Sequence, residues 1–154
     1  MPQQIARPRF DTDPDAAAAA RAAVDSLVAE LQAGIDHSDA GVYNRHFAAD
    51  VIWGSPYGAL VSGYDRLHAI HERLHRNTPV GRSRYVTERV LTPVPGVAVA
   101  QVRREALDDH GEPLDPADSF HEMATYVLVR RDDDWWLVAG QNTPIRPGMG
   151  AKVD

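Results

Sequence analysis

Three histidines in the middle of the chain have the spacing of one helical face. His68, His71 and His75 follow one another at intervals of three and four residues, and side chains so spaced lie on the same side of a helix. His71 adjoins an apolar isoleucine, so we expect it to point toward a sheet. An imidazole at a pocket wall can titrate near neutral pH, which makes His71 a candidate for proton transfer. The alternative is a partly buried histidine that hydrogen-bonds the backbone or Tyr57.

The same histidine face could instead hold a metal ion. Such a site needs further ligands from another part of the chain, usually a carboxylate, and the sequence assigns none. We therefore predict no metal and no other cofactor. The acidic segment 108–118 lacks the ligand spacing of an EF-hand calcium loop. We expect it to be a flexible loop at the pocket mouth that could act as a lid.

A turn rich in proline and glycine provides the second group of candidates. The sequence GSPYG at 54–58 follows an apolar run that ends in Trp53, and its composition is typical of a tight turn. The hydroxyls of Ser55 and Tyr57 could donate hydrogen bonds to a developing oxyanion. The predicted catalytic residues are therefore His71, Tyr57 and Ser55. The Trp53 ring could stack on a flat, conjugated ligand, although such rings more often pack in a core.

The remaining pocket candidates follow from the alternation of side chains along strands. If Trp135 faces inward, then Leu137, Ala139 and Gln141 do so as well. The same rule groups polar side chains on the two preceding strands. The predicted ligand-binding residues, which would line an apolar pocket with aromatic walls, are Trp53, Gln101, Arg103, His121, Met123, Thr125, Trp135, Gln141 and Asn142.

A long first helix is predicted to cover this pocket. Asp13 can cap the helix, and Pro14 suits its first position. We expect the helix to end near Gly34, since glycine commonly follows the last helical residue. Its apolar stripe, at helical spacing, consists of Ala20, Val24, Leu27, Val28, Leu31 and Ile35.

Shorter elements are predicted between residues 38 and 79. Ser38 or Asp39 can cap a short second helix. Two short strands, at 51–53 and 60–61, flank the turn. A third helix follows Gly63 and should stop at 77–79, because proline disfavours helix in the residue before it.

The second half of the chain reads as four strands joined in hairpins. The segments are rich in Val, Thr, Tyr and Trp, and short turn-forming connectors separate the first pair and the second pair. The strands are predicted at 84–92, 97–107, 119–131 and 135–143. Helices followed by a meander indicate an α+β fold, in which three N-terminal helices pack on one face of a curved, mainly antiparallel sheet.

Length and composition exclude several classes of function. A chain of 154 residues with a formal charge of −6 and no cysteine suits one acidic domain without disulfides. The charge argues against binding to nucleic acid, and no apolar run is long enough to span a membrane. We predict a cytoplasmic protein with a flexible arm at 1–12, one domain at 13–146 and a tail at 147–154.

Three segments, taken with the order of the elements, resemble the nuclear transport factor 2-like superfamily. They are HFAADVIWGSPYG, SGYDRLHAIH and TYVLVRRDDDWWLVAGQNTPI. Within that superfamily the chain looks like the SnoaL-like group and is most similar to the SgcJ/EcaC family. The resemblance implies a cone-shaped α+β barrel and a homodimer formed through the outer sheet face, with Trp136 in the interface. It also implies a place in polyketide or enediyne antibiotic biosynthesis.

The resemblance is less informative about the reaction. Ketosteroid isomerases of this superfamily carry a base carboxylate in a D-P-x-G turn, where this chain has Ser55-Pro56-Tyr57-Gly58. The oxidoreductase label of the narrow family has no support from a dinucleotide-binding fingerprint. We therefore expect a protein that binds or shields a hydrophobic small molecule. The alternative is a cofactor-independent cyclase, isomerase or dehydratase, with His71 transferring the proton.

Overall fold

The computed structural model describes residues 5–77 and 82–147. The described residues form three helices and six strands. In chain order these are α1 (Pro14–Asp36), α2 (Ala40–Tyr43), β1 (Phe47–Gly54), β2 (Leu60–Ser62), α3 (Tyr64–Asn77), β3 (Ser83–Leu91), β4 (Val97–Ala106), β5 (Glu122–Arg131) and β6 (Asp134–Pro144).

The six strands form one curved sheet in the order β2-β1-β6-β5-β4-β3. Neighbouring strands are antiparallel, except that β1 runs parallel to β6. The helices pack on one face of this sheet, called here the inner face. Within residues 5–77 and 82–147 no helix packs on the opposite, outer face. The predicted α+β class and the two hairpins of the second half are confirmed.

Helix α1 begins as the sequence predicts and ends later. The Asp13 carboxylate accepts hydrogen bonds from two backbone N–H groups of the first turn, and Pro14 is the first helical residue. The predicted stripe is buried except for Val28, which is half-buried. The helix continues past Gly34 to Asp36, because this glycine serves close packing rather than termination. A Cβ at Gly34 would lie 2.6 Å from the Cβ of Tyr43.

Some predictions fall at the limits of the described residues. Asn77 is the last residue of α3, and Thr78 and Pro79 lie outside the described residues. The same holds for residues 1–4 and 148–154 of the predicted arm and tail. Residues 5–13 form no helix or strand. None of the helices in the described ranges has the length and apolarity that a membrane crossing would need.

Candidate functional site

His71 lies inside a cage of aromatic rings on the inner face of the sheet. It is buried, and its ring meets those of Tyr43, Phe47 and Trp53 edge-on at centroid distances of 5.0, 6.2 and 5.4 Å. These three rings, called here the aromatic cage, come from α2 and β1. Trp53 also stacks on Tyr126 of β5, with the ring centroids 6.0 Å apart. The cage and its contacts therefore join α2, β1, α3 and β5.

A buried asparagine holds two of the histidines in place. Asn44 follows α2 and is fully buried. Its Oδ1 lies 2.7 Å from Nδ1 of His71, and its Nδ2 lies 3.0 Å from Nδ1 of His68. Since an amide oxygen only accepts and an amide nitrogen only donates, Nδ1 of His71 carries the proton and Nδ1 of His68 does not. Asn44 thus fixes both tautomers.

The surroundings of His71 do not suit a general acid. Burial, followed by the neighbouring His75 and His68, lowers the pKa of His71 to about 3. The ring is therefore neutral at physiological pH and is a weak base. The hydrogen bond to Asn44 and the edge-on aromatic contacts assign it a packing and positioning role.

The hydrogen-bonding and charged groups of the inner face are centred on Arg104. Tyr85, Arg104 and Glu122 are direct cross-strand neighbours on β3, β4 and β5, and they are called here the inner row. Nη1 of Arg104 lies 3.5 Å from Oε1 of Glu122, and its Nε donates to Oγ of Ser83 at 3.2 Å. The Tyr85 hydroxyl lies 3.1 Å from that of Tyr43 in the aromatic cage. The inner row therefore adjoins the aromatic cage.

Burial changes the protonation of the inner row and its neighbours. It raises the pKa of Tyr43 to about 12 and raises that of Tyr85 well above 10. Both phenols therefore stay protonated and can donate hydrogen bonds. Burial also raises the pKa of Glu122, against the opposing effect of Arg104. Burial by itself would lower the pKa of Arg104, but Tyr85 and Glu122 outweigh it and raise the pKa, so the guanidinium stays charged.

Two buried polar atoms near this cluster lack a hydrogen-bond partner among the described residues. They are Oδ1 of Asn142 and Nδ1 of His75. Burial lowers the pKa of His75, with a further contribution from Arg104, so its ring is neutral. Buried polar atoms are almost always satisfied by protein, water or ligand. The inner face therefore offers unused hydrogen-bonding groups.

The expected orientation of four strand residues is wrong. Gln101 and Arg103 lie on the outer face, because the alternate residues Ala100 and Val102 are buried on the inner one. Arg103 is held there by Glu88, at 2.7 Å. On β5, Met123 and Thr125 also face outward, since Glu122, Ala124 and Tyr126 are the buried residues of that strand.

A β-bulge explains the mixed result on β6. The pairing with β5 shifts between Leu137 and Ala139, so Val138 is inserted and the alternation changes phase. Leu137 is buried before the bulge, whereas Gly140 and Asn142 are buried after it. Of the two amides predicted at the pocket, Asn142 therefore points inward, while Gln141 does not and packs instead against the backbone of Gly54.

The two neighbouring tryptophans of β6 both lie away from the aromatic cage. Trp135 is half-buried and lines a separate cleft of about 310 Å³ between α1 and the β5–β6 hairpin. Trp136 is half-buried and contacts His46, with the ring centroids 5.4 Å apart. The expected inward orientation thus brings Trp135 against α1 and not to the aromatic cage.

Ser55 and Tyr57, the two candidates in the turn, lie away from the inner row. Tyr57 is 83% exposed and stacks on Phe120, with the ring centroids 6.0 Å apart. Oγ of Ser55 accepts hydrogen bonds from the backbone of Tyr57 and Ala59, so it stabilises its own turn. His121 is buried beside Ser119, with its Nε2 2.9 Å from the serine hydroxyl. Of the predicted residues, His71 and Trp53 meet in the aromatic cage. Gln101, Thr125 and Gln141 are also brought together, but as cross-strand neighbours on the outer face.

Sequence reasoning missed five residues of the site. These are Tyr43, Asn44, Tyr85, Arg104 and Glu122. For Tyr85, Arg104 and Glu122 the signal was the opposite phase of alternation on β3, β4 and β5, which puts these three side chains on one face. Within residues 5–77 and 82–147 no group of three or more His, Cys, Asp or Glu side chains could hold a metal ion.

Comparison with known proteins identifies the fold. The sequence matches no protein-family model and no curated protein. A domain of unknown function with a cystatin-like fold from Nostoc punctiforme superimposes with a TM-score of 0.72 at 14% identity, over 82% of this chain and 78% of that one. The protein has a cystatin-like fold.

Two further solved structures share this fold. An NTF-2 like protein of unknown function from Shewanella oneidensis has a TM-score of 0.66 at 13% identity, over 80% of this chain and 98% of that one. A ketosteroid isomerase-like protein from Erwinia carotovora atroseptica has the same score and identity, over 82% and 96%. These structures support the NTF2-like architecture, and at such identities they show the fold alone.

Proposed function

We propose that this protein binds a small, largely apolar molecule between the helices and the inner face of its sheet. The observation that carries the proposal is the aromatic cage beside polar atoms that the described residues leave unpaired. Aromatic surface with a few convergent polar groups is the usual composition of a small-molecule site. The cystatin-like fold is consistent with this function and does not specify a ligand.

The biological setting is proposed from the sequence alone. We infer that the ligand is an intermediate of secondary metabolism, of a polyketide or enediyne type, and that the protein binds or shields it in the cytoplasm. This inference, and membership of the SgcJ/EcaC family, is supported by the three segments that resemble that family. Absence of any effect on metabolite profile when the gene is deleted from its source organism would count against it.

The three tryptophans provide an internal test of the binding site. Trp53 belongs to the aromatic cage, whereas Trp135 lines the separate cleft beside α1 and Trp136 contacts His46. In ¹⁵N-labelled protein each indole N–H gives its own NMR signal, which Trp→Phe variants assign. We expect the flat aromatic probe 2-naphthamide to shift the Trp53 signal and leave that of Trp136 unchanged. A probe that shifts neither Trp53 nor its neighbours at millimolar concentration would refute the proposal.

A second candidate function is acid/base catalysis by Glu122 instead of His71. Glu122 is a buried carboxylate with a raised pKa, close to protonated tyrosine hydroxyls, and such a group can abstract a proton next to a carbonyl. The carboxylate would take the proton, and a tyrosine would donate a hydrogen bond to the enolate oxygen.

Deuterium exchange into 2-tetralone, followed by NMR in D₂O, tests this candidate. We expect Glu122→Gln to slow protein-dependent exchange about 100-fold, the usual contribution of a positioned base. His71→Gln should change the rate little. Exchange that survives Glu122→Gln and is lost in His71→Gln would restore the histidine as the base.

We also propose that two copies pair through the outer sheet face. An apolar row crosses five strands there, and a contiguous exposed apolar surface commonly marks an interface. The row consists of Ile52, Ala139, Val127, Val99 and Leu91, each the cross-strand neighbour of the next. Trp136 extends this surface, since it pairs with Val129 on the same face.

Sedimentation velocity at micromolar concentration tests the pairing. We expect a dimer for the parent and a monomer for Val127→Lys, because the lysine would place a charge in the centre of the apolar row. Arg73→Glu changes an exposed residue of α3 and should leave the dimer intact. A monomeric parent would contradict the proposal.

A further inference from the structure

Arg104 is the accessible member of the inner row. Its side chain is 32% exposed, while Glu122 beside it is almost fully buried. Tyr85 on its other side is buried as well. The exposed part of the guanidinium is therefore the part of the inner row that a ligand can reach from solvent.

The Arg104 guanidinium also has N–H groups that remain available to a ligand. It carries five N–H groups, and its contacts with described residues involve Nε, which donates to Ser83, and Nη1, which lies near Glu122. Nη2 has no acceptor within residues 5–77 and 82–147. An Nη2 paired with a carboxylate would make a charge-assisted hydrogen bond, which is roughly twice as strong as a neutral one.

The neighbouring side chains add donors and an aromatic wall. Tyr43 and Tyr85 share one hydrogen bond, so one of their two hydroxyl protons stays free to donate. Tyr43 is at the same time part of the aromatic cage, with its ring 5.0 Å from that of His71. The hydrogen-bond donors of the inner row match a ligand group that only accepts hydrogen bonds, such as a carboxylate. The rings of the aromatic cage match an aromatic remainder of the same ligand.

We infer that the ligand is an aromatic carboxylic acid whose carboxylate is bound by Arg104, with a tyrosine hydroxyl as second donor. This inference rests on the proposed small-molecule site and specifies its substrate class. Glu122 then acts as a positioning residue that holds Nη1 of the guanidinium while the ligand meets Nη2.

The test compares two probes of nearly the same shape, 2-naphthoate and 2-naphthamide. Their dissociation constants are measured from the Trp53 indole signal. We expect the parent to bind the carboxylate at least tenfold more tightly, the effect of a hydrogen bond to a charged group. Arg104→Gln should reduce the ratio to about one.

Arg103→Gln is the matched control, because Arg103 is the next residue along β4 and forms its ion pairs on the outer face. It should keep the full preference for the carboxylate. Arg104→Lys retains the charge and should keep part of it. Equal binding of the two probes by the parent, or a preference that survives Arg104→Gln, overturns this inference alone. If neither probe binds, the proposed small-molecule site fails as well.

Discussion

The neutral state of His71 leads to a measurable dependence of stability on pH. The pKa of His71 is about 3 in the folded protein, against 6.5 for an ordinary histidine. Below pH 6.5 the unfolded chain therefore binds a proton that the folded chain does not. Since stability falls as pH falls wherever the unfolded state binds more protons, this contribution is complete above pH 6.5 and is lost progressively down to pH 3.

The size of the effect follows from the separation of the two pKa values. Each pH unit well between them corresponds to about 1.4 kcal/mol. Because the unfolded histidine is already partly protonated near pH 6.5, lowering the pH from 7 to 4.5 should cost about 2.5 kcal/mol through His71 alone. His71→Gln keeps a side-chain N–H for Asn44 and has no charge to gain. Other groups titrate in both proteins, so the difference between the two profiles isolates His71.

Urea unfolding followed by tryptophan fluorescence, at pH 7 and at pH 4.5, measures both profiles. The parent should lose about 2.5 kcal/mol more than His71→Gln over this interval. His110 is exposed, and His110→Gln controls for the loss of an imidazole as such. Equal losses in parent and His71→Gln would refute the proposed burial of a neutral ring, as would an NMR titration of His71 near pH 6.5.

Three further substitutions test the packing around the site. Asn44→Ala leaves polar groups of two histidines unpaired and should lower the free energy of unfolding by about 2–4 kcal/mol, measured in urea. Gly140→Ala places a Cβ 2.8 Å from the Trp53 ring, so we expect a loss of about 1–3 kcal/mol in thermal unfolding and a change in Trp53 fluorescence. Asp13→Ala removes the cap of α1 and should cost about 1 kcal/mol, with less helical signal in circular dichroism.

Local patterns in the sequence were sufficient to predict most elements of the fold. The cap at Asp13 and the helical stripe of α1 are set by neighbouring residues and by a period of 3.6. The connectors of the two hairpins are likewise short and contain turn-forming residues. The parallel pairing of β1 with β6 has no such local signal, since it joins residues about 90 positions apart.

The inward face of each strand could not be predicted, because both faces of the central strands carry apolar residues. On β4 the alanines at 98 and 100 point inward and are fully buried, whereas the valines at 97 and 99 point outward and are half-buried. Small residues let the helices approach the sheet, so size rather than polarity distinguishes the two faces. Alternation alone therefore led to the prediction that Arg103 lines the pocket, whereas its neighbour Arg104 is the arginine on the inner face.

The orientation of these two arginines changes the functional argument more than any other correction. A buried ion pair contributes little to stability, since desolvation offsets most of its Coulomb attraction. The pair formed by Arg104 and Glu122 therefore gives the fold little that an apolar pair would not give. The Arg104 guanidinium lies beside protonated tyrosines, and its Nη2 has no acceptor within residues 5–77 and 82–147. This arrangement suits the acidic ligand that we propose. His71, the histidine that the sequence put first, is kept neutral by burial and helps to shape the wall along which such a ligand would lie.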